Sequence, residues 1–351
     1  MTPHYNVAIL GATGAVGQRF LQLLEHHPWF TVKALMGSEH SVGKLYRDAT
    51  QWMLESELPT CYADMKLVSS HTTALPPDID IIFSAIPAEA AREIEGAFAK
   101  AGYSVFSNTR TYRMEKDIPL MVPEVNPLHL ALIKQQSRRG WKGCIITNPN
   151  CIVIPLVMAL KPLHDAFGVT HVIVSTMQAI SGAGYPGVAS LDIVDNIIPY
   201  IADEEEKIIT ETQKILGTPK APARIKISPS CHRVAVVDGH TIDARIGLQR
   251  PATATEIIEV LRNYTNPLAS LNLPSSPASC LTVLEAPNRP QPKLDRMRGN
   301  GMTVCVGRIR PDEVLQNGIK MIILGHNTIR GAAGGAILNA EYYLAQKKYR
   351  V

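Results

Sequence analysis

The stretch Tyr5-Asn6-Val7-Ala8-Ile9-Leu10-Gly11-Ala12-Thr13-Gly14-Ala15-Val16-Gly17 decides the fold. Its first half is a short β-rich run, and Gly11, Gly14 and Gly17 then fall at G-x-x-G-x-x-G spacing. A helical pattern, Gln18 to His26, comes next. Strand, glycine turn and helix in that order form a cradle for a pyrophosphate. The glycines permit a tight turn and close backbone approach, and the first N–H groups of the helix face the anion. Glycine triplets alone are weak evidence, but the strand before and the helix after supply the context of a dinucleotide site. Gly11, Thr13, Gly14, Ala15, Val16 and Gly17 are therefore candidate cofactor contacts.

Further strands are expected at Val32–Met36, at Asp80–Phe83, which runs into Ser84-Ala85-Ile86-Pro87, and at Ser104–Ser107. The Ala/Glu-rich segment Ala88–Ala101 reads as a strong helix. Strands alternating with helices predict an α/β, Rossmann-type, doubly wound parallel sheet. The second strand ends at Gly37-Ser38, with Ser41 and Lys44 nearby. Hydroxyls and a lysine suit a ribose 2′-phosphate and favour NADP(H), whereas Glu39 suits a free ribose hydroxyl or a solvated loop.

The pattern changes after Cys151. Helix-like residues 152–166 lead to a β-rich run, His171–Met177, and to the glycine-rich loop Ser181-Gly182-Ala183-Gly184-Tyr185-Pro186-Gly187. Asp203–Leu216 reads as a charged helix, and β-rich runs recur at Val234–Val237, Thr241–Ile246, Met302–Ile309 and Met321–Leu324. Helices are expected at 254–263 and 329–346, and the Pro/Arg-rich segment 287–300 lacks periodicity and reads as a loop. This half predicts an α+β domain with a mixed or antiparallel sheet.

Composition narrows the function classes. The chain has 351 residues, enough for two cores, with 46% hydrophobic and 19% charged residues, which argues against disorder. The net charge of +4 is small and its basic residues are scattered, so no nucleic-acid partner is implied. No apolar run reaches membrane-spanning length. The six cysteines include no CxxC pair and no zinc-type spacing, so no metal site is expected. The start of the chain shows no secretory leader, and a reduced cytoplasmic protein is expected.

Asn148-Pro149-Asn150-Cys151 carries the chemistry. Cys151 heads the apolar run Ile152–Leu160, and a helix start favours a thiolate. The alternative is a small buried residue capping a helix; Asn150 and the helix that follows favour a nucleophile. His240, in Asp238-Gly239-His240, is a candidate acid/base partner, or else a histidine exposed in a hairpin turn. Arg233 lies on the opposite face from His240 if one strand joins them, and on the same side only if Val237-Asp238-Gly239 is a bend. Gln178, at the end of a β run, is placed to orient a carbonyl or to sit in a solvated loop. The acids Asp203-Glu204-Glu205-Glu206 read as a helix start, and Lys207 as a surface residue or an anion ligand.

Taken with Ser107-Asn108…Arg113, Gln178–Gly187, Glu204–Lys207, Arg233–His240 and Asn327–Gly335, these motifs resemble aspartate-β-semialdehyde dehydrogenases of the archaeal/fungal-type branch along almost the whole chain. The resemblance implies NADPH-dependent reduction of L-4-aspartyl phosphate to L-aspartate 4-semialdehyde through a thioester on Cys151, in the biosynthesis of lysine, threonine and methionine. It implies His240 as acid/base residue, Gln178 orienting the acyl group and Arg233 holding the substrate carboxylate. Glu204 would bind the amine, Arg113 and Lys207 the phosphate, and Asn150 would also contact substrate. Ser38, Ser41, Lys44, Ser84, Ser181, Gly182, Asn327 and Gly331 would join the glycine turn in binding NADP(H). The implied domains are 1–150 with 329–351 for the nucleotide and 151–328 for catalysis and dimerisation, in a homodimer or homotetramer.

Two positions depart from the family pattern. His232 stands where related sequences often carry Asn, and Glu39 weakens the preference for NADP. A malonyl- or succinyl-CoA reductase of the same structural family would share the nucleotide site, Cys151 and His240 without needing an amine and phosphate site. N-acetyl-glutamyl-phosphate reductase is a more distant alternative. A non-catalytic NADP-sensing regulator predicts loss of a reactive position, and Cys151, His240, Gln178 and Arg233 are all present.

Overall fold

The computed structural model describes residues 4–348. The chain forms two compact units, one of Met1–Met121, His129–Asn148 and Ala332–Val351, the other of Val122–Leu128 and Pro149–Gly331.

The first unit is built on six parallel strands: β1 (Tyr5–Leu10), β2 (Phe30–Gly37), β3 (Leu67–Ser69), β4 (Ile81–Ser84), β5 (Ser104–Ser107) and β6 (Cys144–Thr147). Their order is β3-β2-β1-β4-β5-β6, the doubly wound arrangement. Val7 to Leu10, Ile81 to Ser84 and Ser104 to Ser107 are wholly buried, as expected of strands covered on both faces. The helix Ala88–Ala101 has the bounds its composition predicts. Pro87 precedes it, Glu89 lies in its first turn and Lys100 in its last. Gly102, at φ 114°, ends it by bonding back to Ala99. Its Phe98 packs into a core with Leu10, Met36, Ile82, Val105 and Ile145. The short strands β3 and β6 went unread in the sequence, although β6 leads straight into the Asn148–Cys151 motif.

The second unit holds a mixed sheet of β7 (Val169–Gln178), β8 (Lys226–Arg233), β9 (His240–Leu248), β10 (Leu281–Leu284), β11 (Val304–Asp312) and β12 (Gly318–Gly325), ordered β10-β11-β12-β9-β7-β8. Strand β7 pairs parallel with β8 on one side and antiparallel with β9 on the other. The helix Val153–Phe167 is apolar over most of its surface, and every residue from Val153 to Leu160 is buried.

Three expectations change. Val234–Val237 is not a strand. It is the crossing from β8 over the end of β7 to β9, and its peptide groups bond to Gln178, Ile180 and Ser181 in the facing loop. Its apolar residues match a strand pattern, but β7 is already paired on both edges and offers no vacant edge. The true strand, β8, is polar and contains Pro229, both tolerated because it lies at the edge of the sheet. The helix expected from 329 begins as a π-turn, Ile329–Ala333, and becomes α-helical at Gly334. Gly331 N–H bonds to His326 O, five residues back, which defines that turn. Segment 287–300 contains the short helix Pro292–Asp295, whose buried Asp295 accepts from Arg289, Arg298 and the Gln291 N–H.

Inside the second unit, Arg330 donates through both Nη atoms to the Glu124 carboxylate at 2.8 Å, with both side chains essentially dry. This pair anchors the π-turn that carries Gly331. Removing one partner strands the other charge in the interior. Arg330→Ala is therefore expected to lower the unfolding free energy by about 3–5 kcal/mol, measured by urea denaturation, and Arg330→Met/Glu124→Leu to recover most of that loss.

Candidate active site

Cys151 occupies the turn before the helix Val153–Phe167. Asn150 shapes that turn. Its backbone carbonyl accepts from the Val153 N–H at 3.0 Å, and its Oδ1 accepts from the Ile152 N–H at 3.0 Å. Behind Asn150 stands the charged helix, which runs Glu204–Leu216 after Asp203 at φ 60°. The Asn150 N–H donates to Glu211 Oε2 at 2.6 Å, and its Nδ2 lies 3.1 Å from both Glu204 oxygens. Lys207 Nζ reaches Glu204 Oε2 at 3.2 Å. Asn150, Glu204 and Lys207 thus form one cluster behind the thiol. Glu211 was missed in the sequence, although its spacing of seven residues from Glu204 places both on one helix face.

Strand register supplies the other side. Gln178 and Arg233 are register partners at the ends of β7 and β8, and His240 opens β9 across β7. Arg233 and His240 lie on different strands, so the one-strand objection does not arise and the bend brings them together. A Cβ built on Gly182 would fall 2.9 Å from Arg233 Nη1 and 3.0 Å from His240 Cε1. His240 is fully buried, and its Nε2 lies 3.1 Å from Cys151 Sγ. Burial pushes the imidazole down to about 3, with Arg233 and His326 acting in the same direction. Arg233 is also held below its ordinary value, chiefly by burial. Gln178 is buried and donates to Thr176 Oγ1 at 3.3 Å. His232 Nδ1 lies 3.2 Å from the Thr176 carbonyl.

Gly331 backs onto the cysteine. A Cβ there would lie 2.9 Å from Cys151 Cβ and 3.0 Å from its Cα and its carbonyl oxygen, so only glycine fits. Asn327 and Ser181 join a chain of hydrogen bonds: Asn327 Nδ2 donates to Ser181 Oγ, and Ser181 Oγ to Asp238 Oδ1, each at 2.7 Å. Asn327 Oδ1 accepts the Gly239 N–H at 2.8 Å, which steadies the turn before His240. Asp238 is a second residue that sequence reasoning passed over.

The remaining candidates lie in the first unit. Gly11 has φ 83°, and a Cβ on it would fall 2.7 Å from the Ala85 carbonyl oxygen; one on Gly17 would fall 2.2 Å from the Gly11 oxygen. The helix Ala15–Leu24 starts after Gly14 with no side-chain cap, and no acid lies in its first turn. Bare N–H groups above a turn that excludes side chains fit a pyrophosphate. Thr13, Ala15 and Val16 belong to this turn and helix start. At the end of β2, Ser38 and Lys44 are exposed, and Ser41 Oγ donates to the Ser38 carbonyl at 2.8 Å. Ser84 is buried, with its hydroxyl committed to Glu95 Oε1 at 2.6 Å. Arg113 Nη2 donates to the Asn108 carbonyl at 2.7 Å.

A doubly wound nucleotide fold followed by a thiol–imidazole domain is the plan of the semialdehyde dehydrogenases. Residues 6–133 match the family "Semialdehyde dehydrogenase, NAD binding domain", and residues 160–330 match "Semialdehyde dehydrogenase, dimerisation domain". The aspartate-semialdehyde dehydrogenase of Archaeoglobus fulgidus is 49% identical over 348 residues, covering 98% of this chain and 99% of that protein. A crystal structure of the Candida albicans aspartate semialdehyde dehydrogenase with NADP superposes with a TM-score of 0.89 at 42% identity, covering 98% of this chain and 99% of that one. Aspartate semialdehyde dehydrogenase II from Vibrio cholerae, complexed with ASA, gives a TM-score of 0.77 at 28% identity, covering 97% and 98%. The chain belongs to the aspartate-semialdehyde dehydrogenase family. Among the described residues, no helix is long and apolar enough to cross a membrane.

The Glu95 carboxyl beneath Ser84 generates a pH prediction. It is wholly buried, accepts from Ser84 and from Ser107 Oγ at 2.7 Å, and burial pushes it from 4.5 up to about 7. As pH rises, the unfolded chain releases this proton near 4.5, while the folded chain holds it to about 7. Stability therefore falls across that window by roughly 3 kcal/mol and levels off above it. Denaturant unfolding across that range is expected to show Glu95→Gln gaining stability relative to the parent protein as pH rises.

Proposed function

We propose that this chain catalyses NADPH-dependent reductive dephosphorylation of L-4-aspartyl phosphate to L-aspartate 4-semialdehyde, in the biosynthesis of lysine, threonine and methionine. The observation that carries the reading is the 3.1 Å contact between Cys151 Sγ and the buried His240, set beside Arg233. The Cys151 thiolate attacks the acyl carbon; a C–S bond forms, the C–O bond to phosphorus breaks, and phosphate leaves. NADPH supplies a hydride for the thioester carbon. The C–S bond then breaks and releases the aldehyde. Gly11, Thr13, Gly14, Ala15, Val16 and Gly17 would hold the cofactor pyrophosphate, and Ser38, Ser41 and Lys44 its 2′-phosphate. Ser181, Gly182, Asn327 and Gly331 would face its nicotinamide end, and Ser84, whose hydroxyl donates to Glu95, would lie beside the cofactor at the end of β4.

The substrate carries a carboxylate, an amine and a phosphate. Arg233 suits the carboxylate, since a guanidinium withdrawn from water gains most from a bidentate anion. Glu204 suits the ammonium, with Asn150 fixing its carboxylate. Lys207 and Arg113 suit the phosphate. Gln178 orients the acyl oxygen, and His240 serves the thiol as its acid/base partner. We assign nucleotide binding to residues 1–150 with 329–351, and catalysis with homodimer or homotetramer formation to 151–328, in a cytoplasmic enzyme.

The test is the reverse assay. L-aspartate 4-semialdehyde and phosphate are expected to reduce NADP⁺ in a phosphate-dependent way, faster than NAD⁺. No such reduction, with NADPH oxidised by malonyl-CoA instead, would move the substrate to the acyl-CoA class. Cys151→Ala is expected to abolish turnover while NADPH affinity, measured by fluorescence titration, stays unchanged. Arg233→Lys is expected to raise the KM for aspartate semialdehyde by about 10- to 100-fold, the loss of one charged bidentate contact, and to leave the cofactor KM alone.

A further inference from the structure

The glycine turn of the first unit is held from behind by two side chains, Gln18 and Tyr46, both fully buried. The Tyr46 hydroxyl donates to the Ala12 carbonyl at 2.9 Å, and Gln18 Nε2 donates to the Thr13 carbonyl at 3.0 Å. We infer that Gln18 and Tyr46 are positioning residues for the cofactor. They fix the peptide planes of residues 12–14, so that the turn presents the Thr13 N–H, and neither of these two carbonyls, to the pyrophosphate. The inference rests on the nucleotide reading of this turn and adds to it two residues that the glycine pattern does not single out.

A trans peptide is planar, and its C=O and the N–H that follows point opposite ways. Once the Ala12 carbonyl is turned onto Tyr46, the Thr13 N–H must face away from it. The other amides of the turn are committed. The Gly11 and Ala12 N–H groups both reach the Met36 carbonyl at 3.1 Å, and the Gly14 N–H reaches the Gly11 carbonyl at 3.2 Å. The Thr13 N–H has no partner among the described residues. It adjoins the uncapped start of the helix Ala15–Leu24, where successive amides suit an anion. A flipped Ala12–Thr13 peptide would set a carbonyl oxygen against that anion instead.

Both side chains are themselves fixed. A glutamine amide has two donor hydrogens and one acceptor oxygen. Gln18 Nε2 lies between two carbonyls, that of Thr13 and that of Gln51 at 2.9 Å, and Oε1 accepts the Met53 N–H at 2.8 Å. Exchanging oxygen and nitrogen would set like against like at all three contacts. Tyr46 opens the short helix Tyr46–Ala49, and burial pushes its phenol well above the ordinary range, so the hydroxyl stays a donor. Its backbone is held separately. The Tyr46 N–H reaches the Met65 carbonyl at 2.9 Å, the Gly43 N–H reaches the Leu67 carbonyl at 2.8 Å, and the Leu67 N–H reaches the Lys44 carbonyl at 3.0 Å. Lys44 therefore keeps its place when the Tyr46 hydroxyl is removed.

The test is cofactor binding by the full-length chain, measured by fluorescence titration with NADPH and with NADH. Tyr46→Phe and Gln18→Met are each expected to raise both dissociation constants by about 10- to 100-fold, the loss of one hydrogen bond to a charged group. The factor is the same for the two cofactors, because both carry the pyrophosphate. ³¹P NMR of bound NADP⁺ gives a second readout. In each variant the pyrophosphate signals are expected to move towards their free-ligand positions, while the 2′-phosphate signal stays where it is in the parent. A purely structural role would lower the urea midpoint but leave the folded protein's dissociation constants and pyrophosphate signals at parent values, and that result would overturn the inference. A loss confined to NADPH would overturn it too. Tyr46→Phe removes a single oxygen atom and keeps the test decisive if Gln18→Met does not fold. A parent chain that bound neither cofactor would remove the nucleotide reading and the inference together, whereas variants that match a parent that binds remove the inference alone.

Discussion

The second unit holds the Cys151 thiol 3.1 Å from one dry imidazole, and the rest of the site is arranged around that contact. The sulfur is fixed by a turn that Asn150 caps with both its carbonyl and its side chain. The imidazole is fixed as the first residue of β9, with its far nitrogen on a backbone amide. Two glycines make the meeting possible: Gly331 lets the π-turn lie against the cysteine backbone, and Gly182 lets the loop after β7 close over the histidine. A side chain at either position would occupy space already filled by Cys151 or by the His240 ring.

The carboxylates and the guanidinium around this pair are buried but not isolated. Glu204 and Glu211 share Asn150 as donor, Lys207 reaches Glu204, and Arg233 is tied to the Ala179 carbonyl. Ions withdrawn from water are costly unless partnered, so such a cluster is weak evidence for stability and stronger evidence for a ligand of opposite pattern. A small molecule with a carboxylate and an amine matches that pattern. The buried Arg330–Glu124 pair differs, because both ions satisfy each other through two hydrogen bonds.

The first unit was legible because its signals are local. The strand Tyr5–Leu10 stands where its β-rich run places it, and Ala88–Ala101 is bounded by Pro87 and Gly102, which stop helices for known steric reasons. The second unit was harder because its sheet is assembled from distant segments. Val234–Val237 looks like a strand and is a crossing, while the polar run Lys226–Arg233 is a strand only because β7 lies beside it. Cys151 stood out through its neighbours, but its approach to His240 depends on strand order, which no spacing encodes. The Ala179 amide that bonds the far nitrogen of the histidine has no sequence signature at all, since every residue except proline carries one.

The central claim is that Cys151 carries the acyl group. The most direct measurement is acid quenching of the protein with L-aspartate 4-semialdehyde and NADP⁺ in the absence of phosphate, followed by peptide mapping by mass spectrometry. An aspartyl thioester on the peptide containing Cys151, discharged on adding phosphate, is the result this account predicts. An adduct on another of the six cysteines, or turnover with no covalent adduct, would contradict it.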